Sequence, residues 1–594
     1  GLDPERAQFR WAWPPASVPS MASVGDAPEA PFHFCVITAS SPSQASLYQG
    51  LIARRVECGQ YPRSIRFRVY PDPPHGRVGS GGGTMVALHE LFREEKGSSP
   101  IDAEGRLDEE GVSSFFATHR ILLLHAGGES RRLPCYVPEG KLFGPLVGGK
   151  SGSCPVVVLD LLLSLYFRYP WRDGEVILAS GDVIVDFDVQ GQLLRDGHFA
   201  QRGAICGFGK TASLEQGSRH GVFAFGAADT GPTKEVRDFF QKASVQELRE
   251  NCLVPGTGAE CCALDTGVFA MSAEWCLAFF KLAAARHDGS SLLAAVEASK
   301  LYFDFYVEVV MASLPGQTKD GFARRVAGQS KLPAAVISLI QDHLGSLELR
   351  GALLQDCDFL HFGSLKEFPA ASADIARCGL QPFYSTDKGP PRTEPASAGQ
   401  PLVVNSRAET LQIQRDSAES ADMVWVEMCA DVDVRLSAAG FHLLVGLQAL
   451  RLASPLPAGI CLDGRFLKEA GSECEPIHVV AVYSAADTFK KTKSAEEVVF
   501  CGQPLKSWLS ERGLQPEQIW NDPAEAASAT ELWTAKLFPK LEAAGLPGYW
   551  DASLFSSGDF AAKARYSLAD LNRLDSALER DTRRSRLLSP NPQG

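Results

Sequence analysis

Four stretches of this 594-residue chain combine residue types and spacings suited to phosphate chemistry. Gly79-Ser80-Gly81-Gly82-Gly83-Thr84 stands between a strand-like and a helix-like run. Glycines let backbone N–H groups turn inward at positive φ, and a helix start adds partial positive charge, so such a loop is expected to cradle a phosphate. A flexible turn with a Thr cap is the competing reading. His125-Ala126-Gly127-Gly128-Glu129-Ser130-Arg131-Arg132 also follows a strand, with Lys141 close behind. Ala126, Gly127 and Gly128 would let backbone approach a nucleotide, while Arg131, Arg132 and Lys141 would offset the charge of a triphosphate and its pyrophosphate leaving group.

The third stretch, Ala179-Ser180-Gly181-Asp182, ends another strand and sets a carboxylate where a hard Mg2+ is held in many phosphate sites. The fourth pairs Leu264-Asp265-Thr266-Gly267 with Leu301-Tyr302-Phe303-Asp304. Asp265 is a candidate for sugar hydroxyls and Asp304 for a second metal position, and either residue would serve equally as a cap. Gly144-Pro145-Leu146-Val147-Gly148-Gly149-Lys150-Ser151 matches the P-loop pattern in full. Its context argues otherwise, because Gly152 and Pro155 follow where a P-loop would open a helix.

Strands must carry these stretches. Phe34–Thr38, Ile65–Tyr70, Arg120–Leu124 and Val176–Leu178 are short apolar runs separated by helical stripes, as in Met85, Leu88, Leu91 and Phe92. Alternation of this kind predicts a largely parallel, doubly wound α/β sheet, whose ligands bind beyond the carboxyl ends of the strands. Residues 1–31 read as a loose arm, 32–383 as the α/β domain, 384–400 as a linker, 401–505 as a β-rich domain and 506–594 as a helical segment.

Composition limits the partners. At 45% apolar and 22% charged residues the chain is globular, and its length predicts two or three domains. A net charge of -13 leaves no overall field for nucleic acid or an anionic membrane. The 15 cysteines lack metal-type spacing and no run of 18 apolar residues occurs, so free thiols and a cytoplasmic setting are expected.

The ordered motifs resemble the fucose 1-phosphate guanylyltransferase region of bifunctional fucokinase/GDP-fucose pyrophosphorylases. The likeness rests on Val36-Ile37-Thr38-Ala39-Ser40, the two glycine stretches, Gly140-Lys141, Ser180-Gly181-Asp182-Val183, His220-Gly221-Val222 and Gln241-Lys242. It extends through Leu264-Asp265-Thr266-Gly267, Phe359-Leu360-His361-Phe362-Gly363, Phe500-Cys501-Gly502-Gln503-Pro504-Leu505 and Ala535-Lys536-Leu537-Phe538-Pro539. It implies a Rossmann-like sugar-nucleotidyltransferase domain, then a left-handed parallel β-helix, then a helical C-terminal segment. The implied reaction joins GTP and L-fucose 1-phosphate; for it, His220, Lys242 and Asp265 are assigned to the sugar-phosphate side and Asp182 and Asp304 to Mg2+. Bifunctional relatives carry a kinase domain that is expected to be absent here, the chain reading as a fragment or a separate half. Two rival expectations are a nucleotide-binding regulatory module without turnover and an ATPase that uses Lys150.

Overall fold

A computed structural model describes residues 31–151, 154–169, 171–186, 203–226, 233–254, 260–354, 357–378, 401–415, 423–437, 440–452, 455–467, 477–541 and 565–587. The expected linker and all but the last residue of the expected arm lie outside the described residues.

The first strand, β1 (Phe34–Ala39), is buried at every position, as a strand covered on both faces must be. Ser41 then caps α1 (Pro42–Glu57) by accepting from the Gln44 N–H at 3.2 Å. Next come β2 (Arg66–Pro71), α2 (Gly79–Lys96), α3 (Glu109–Ala117) and β3 (Ile121–His125). A hairpin of β4 (Pro145–Ser151) and β5 (Cys154–Val157) leads into the buried α4 (Val158–Tyr166). The P-loop-like segment is thus a paired strand followed by a second strand, and the helix opens at Val158 rather than at its Lys-Ser. That geometry does not form a phosphate loop.

The remaining strands of the α/β domain are β6 (Val176–Ser180), β7 (Val183–Asp186), β8 (Ala204–Ser213), β9 (Gly221–Phe225), β10 (Lys234–Gln241), β11 (Cys261–Met271), β12 (Arg286–His287), β13 (Ser290–Ser291), β14 (Glu348–Leu354) and β15 (Asp358–His361). Nine of the domain's strands form one sheet in the order β2-β1-β3-β6-β11-β8-β14-β10-β9. Alternate residues of β1 and β3 point to opposite layers. Cys35, Ile37, Leu122 and Leu124 pack with α1 and α4, whereas Phe34, Val36, Ile121 and Leu123 pack with α2, α3 and the helix Ala273–Ala284.

The sheet is α/β and covered on both faces, as expected, but it is mixed rather than largely parallel. β2, β1, β3 and β6 run parallel, while β11 is antiparallel to both β6 and β8. The connection from β9 to β10 is too short for the crossover helix that a parallel pair requires, and these two strands pair antiparallel.

Beyond residue 400 the chain alternates between two stacked ladders. One contains β16 (Leu402–Val404), β18 (Val424–Glu427), β20 (His442–Val445) and β22 (Ile460–Leu467), parallel throughout. The other contains β17 (Leu411–Arg415), β19 (Ala430–Leu436) and β21 (Gln448–Arg451), also parallel. An antiparallel β23 (Ile477–Ser484) ends the first ladder; a hairpin of β24 (Val499–Phe500) and β25 (Gln503–Pro504) follows, and β26 (Phe538–Leu541) and β27 (Arg565–Tyr566) extend the sheet. The segment after 505 is therefore not purely helical, although it carries helices Leu505–Glu511, Pro523–Ser528, Leu568–Leu574 and Ala577–Leu587.

These parts share one interior. The apolar cluster around α1 and α4 continues through Trp425, Leu443 and Val445 to Trp508, Phe538 and Leu571. The indole Nε1 of Trp425 donates to the Tyr136 hydroxyl at 2.8 Å. The helix Ala577–Leu587 folds back and buries Arg580 and Arg584 against both regions. Arg584 meets Glu427 at 2.7 Å and Glu139 at 2.6 Å, Arg580 meets Glu139 at 2.6 Å, and Asp581 meets Arg54 at 3.0 Å.

Candidate active site

The strand order reverses direction at β1, with β2 on one flank and β3 on the other, and at that reversal the carboxyl ends of β1, β3 and β6 open into a cleft. Its volume is about 670 Å3. Thr38 comes from the end of β1, Ala126, Gly127 and Gly128 follow β3, and Ser180, Gly181 and Asp182 follow β6. The Thr38 hydroxyl accepts from the Ala126 N–H at 3.1 Å, and the Gly181 N–H donates to the His125 carbonyl at 2.9 Å, so the three strand ends are tied to one another.

The structure brings Arg131, Arg132, Lys141, Asp182, Gly79, Ser80 and Gly83 to this cleft along with the loop after β3. Lys141 is placed by Gly140, whose φ of +63° lies in the left-handed region and where a Cβ would stand 2.0 Å from the Tyr48 hydroxyl. The Lys141 ammonium meets Asp182 Oδ2 at 2.6 Å, Ser180 donates to Oδ1 at 2.6 Å, and His361 Nε2 stands 3.7 Å from Oδ2. Burial alone would push the Asp182 pKa up. The neighbouring His361, Lys141 and Ser180 outweigh it and hold the carboxyl well below its ordinary range.

The glycine run departs from expectation. Gly79 through Thr84 are not a loop but the opening turns of α2. The Gly81 and Gly82 N–H groups both donate to the Phe303 carbonyl, at 3.0 and 3.3 Å, and neither residue lines the cleft. A Cβ on Gly79, at φ +79°, would stand 2.0 Å from that same carbonyl oxygen. Gly79, Gly81 and Gly82 admit the close approach of the Phe303 backbone. Thr84 is fully buried and donates to the Ser80 carbonyl at 2.9 Å, which leaves its oxygen to accept from His125 Nε2 at 2.9 Å. Burial depresses the His125 pKa to about 4, so the ring is neutral near pH 7.

Four further candidates stand outside the lining. His220 packs its ring against Phe359 and His361 at 5.5 and 6.3 Å, which puts it behind the histidine beside Asp182. Lys242 donates its N–H to the His220 carbonyl at 3.0 Å. Asp265 is buried, accepts from the Gly267 N–H at 2.9 Å, and has its pKa pushed up to about 7 by that burial. Asp304 accepts at one carboxylate oxygen from the Tyr306 and Val307 N–H groups, at 2.9 and 3.0 Å. It caps the helical turn Phe305–Val310 and is not among the residues lining the cleft, so its visible role is structural.

Sequence reasoning missed Asp72, Arg77, Lys490 and Lys491, all of which line the cleft. Asp72 had a readable signal, since it follows the end of β2 at the same sheet edge as Asp182. Burial raises its pKa to about 6, with Arg77 pulling the other way. The two lysines carried no signal, being a dipeptide far along the chain.

The cations are unequally committed. Arg131 pairs with Glu531, meets Glu129 at 2.8 Å and lies 5.2 Å from the Trp533 ring centre. Arg77 meets Glu129 at 3.4 Å. Arg132, Lys490 and Lys491 have no carboxylate partner among the described residues, so the cleft retains net positive charge for an anion to neutralise. Among the described residues no helix is long and apolar enough to cross a membrane, and the described cysteines are free thiols.

The fucose pyrophosphorylase domain model matches residues 113–543. Among curated proteins, the bifunctional fucokinase/GDP-fucose pyrophosphorylase of Arabidopsis thaliana is 26% identical over 85% of this chain and 46% of its own length. The L-fucokinase/L-fucose-1-P guanylyltransferase of Bacteroides fragilis is 25% identical over 75% of this chain and 40% of its own. The fucose-1-phosphate guanylyltransferase of Mus musculus is 24% identical over 62% of each chain. The chain thus spans roughly half the length of the curated relatives it matches.

Proposed function

Because the chain belongs to the fucose pyrophosphorylase family, we propose that its cleft joins GTP and L-fucose 1-phosphate to give GDP-L-fucose and pyrophosphate. The observation that carries this reading is the meeting, at one reversal of the sheet, of the backbone after β3 with Arg132, Lys141 and Asp182. Guanine and fucose come from the names of the relatives; the phosphate chemistry comes from the cleft.

A phosphate oxygen of the sugar 1-phosphate attacks the α-phosphorus in line. The bond from that phosphorus to the bridging oxygen breaks, and pyrophosphate leaves with the electron pair. Little covalent work falls to the protein, so rate comes from positioning and charge neutralisation. Ala126, Gly127 and Gly128 let the backbone approach the nucleotide, while Arg132 and Lys141 face the transferring and leaving phosphates. His220, which packs against His361, together with Lys242 and Asp265, serves the sugar-phosphate side. Arg131 holds the loop to Glu531 and Trp533 and so positions Arg132.

Two carboxylates in the cleft, Asp182 and the half-buried Asp72, offer the hard oxygen donors that Mg2+ requires, and Asp72 has no ion-pair partner among the described residues. Those two would hold it. When bound, Mg2+ supplies positive charge to phosphate oxygens. The stacked parallel ladders of 401–467 fit a short β-helix that backs the catalytic domain.

The purified chain given GTP, Mg2+ and fucose 1-phosphate should release pyrophosphate and form GDP-fucose. Arg132→Ala should lower kcat/KM about a hundredfold, the scale of one lost charged contact to the transition state. An Arg132→Ala rate within threefold of the parent would remove that residue from the mechanism.

A further inference from the structure

Lys490 and Lys491 sit in a segment that is fixed on both sides. Before them, Asp487 accepts from the Ser484, Cys501 and Gly502 N–H groups at 2.8, 2.9 and 3.1 Å, and Phe489 is buried against Tyr483 at 5.6 Å between ring centres. After them, the Thr492 N–H donates to the Thr530 carbonyl at 3.0 Å and its hydroxyl donates to the Ser494 carbonyl at 2.7 Å. Thr530 immediately precedes Glu531, the partner of Arg131, and Trp533 lies under the same guanidinium. One block of the C-terminal region therefore clasps the arginine loop and aims a lysine pair into the cleft formed by the α/β domain.

Like charges are costly to gather without an anion. Lys490 lies in the field of Arg132, Lys141, Lys242 and Arg131, and burial together with those cations lowers its pKa. The opposing acids are mostly spoken for, Glu129 by Arg77 and Arg131 and Asp182 by Lys141. An arrangement that anchors the chain on both sides of a lysine pair, while the pair itself is exposed and stands beside other cations, is explained by an anionic ligand that neutralises them together.

We propose that Lys490 and Lys491 are phosphate ligands of the nucleotidyl-transfer site, supplied by the C-terminal region, so that the site is incomplete in the α/β domain alone. The inference rests on the transferase reading for the identity of the phosphate, and its ligand class is a phosphoryl oxyanion carried by either the triphosphate or the sugar 1-phosphate.

The test uses the full chain with the double substitution Lys490→Met and Lys491→Met, which keeps the apolar stems. Turnover with GTP and fucose 1-phosphate should fall about 30-fold in kcat/KM while the unfolding midpoint stays put, and Lys490→Arg with Lys491→Arg should restore most of it. A rise in the GTP KM assigns the pair to the triphosphate, and a rise in the fucose 1-phosphate KM assigns it to the sugar side. Inorganic pyrophosphate, titrated calorimetrically, is the second probe and needs no turnover. At least about tenfold weaker pyrophosphate binding by the Met pair supports the inference even if the parent transfers nothing to fucose 1-phosphate, in which case only the substrate reading falls. Equal pyrophosphate affinity in parent and variant, or none in the parent, overturns it unless the fucose 1-phosphate KM rises, and kcat/KM within twofold of the parent overturns it outright.

Discussion

Asp182→Asn is expected to lower kcat by about a thousandfold while leaving the protein folded. Asparagine keeps the shape and the Ser180 contact, yet it removes the charge that holds the Lys141 ammonium at 2.6 Å. It also removes one of the two carboxylates proposed to hold Mg2+ beside the transferring phosphate. The loss should appear in kcat more than in the GTP KM, because charge neutralisation is most needed where pyrophosphate departs. Because His361, Lys141 and Ser180 hold the Asp182 pKa down against its burial, the parent carboxylate stabilises the fold above its unfolded pKa and loses that contribution as pH falls through the depressed one. The Asn variant should therefore lose less stability on acidification. Steady-state rates and unfolding scans at neutral and acid pH check both parts, and a kcat within tenfold of the parent would separate Asp182 from the chemistry.

The second large effect concerns stability. Arg584 is almost fully buried and joins two buried glutamates from different regions, Glu427 of β18 and Glu139 of the loop before Lys141. Burial would raise the Glu139 pKa, but Arg580 and Arg584 hold it down to about 2. Arg584→Met leaves Glu427 without its cation and should cost about 3–5 kcal/mol, the usual penalty for breaking one side of a buried ion pair. Adding Glu427→Gln should recover part of the loss, since the uncompensated charge is then gone. Urea unfolding of the parent, the single variant and the double variant checks this; an unchanged midpoint in Arg584→Met would show that the C-terminal helix does not secure the two regions.

The legible parts of the fold were those with local cause. The apolar run of β1, the Ser41 cap and the apolar α4 follow from neighbouring residue types, and the structure contains each. The antiparallel insertion of β11 was not legible, because strand direction depends on which strands pair and no residue of Cys261–Met271 records its partner. At the site, glycine and arginine clusters located the loop after β3. Glycine type signals only that something comes close. At Gly81 and Gly82 the close approach is the Phe303 carbonyl, a contact over two hundred residues away in sequence. Asp304 shows the same limit: an acid before a helical turn and an acid at a metal look alike until its two N–H donors are seen. Lys490 and Lys491 reach the cleft only through tertiary folding of the C-terminal region, so no spacing rule near Arg132 could have marked them.

Exchange of labelled pyrophosphate into GTP tests the central claim of direct transfer most directly. With the parent protein, Mg2+ and GDP-L-fucose, label should enter GTP, and without a sugar nucleotide or sugar phosphate it should not, because direct transfer leaves no nucleotidyl group on the protein for pyrophosphate to take up. Label that enters GTP with no sugar substrate present, or none when GDP-L-fucose is supplied, would contradict the account.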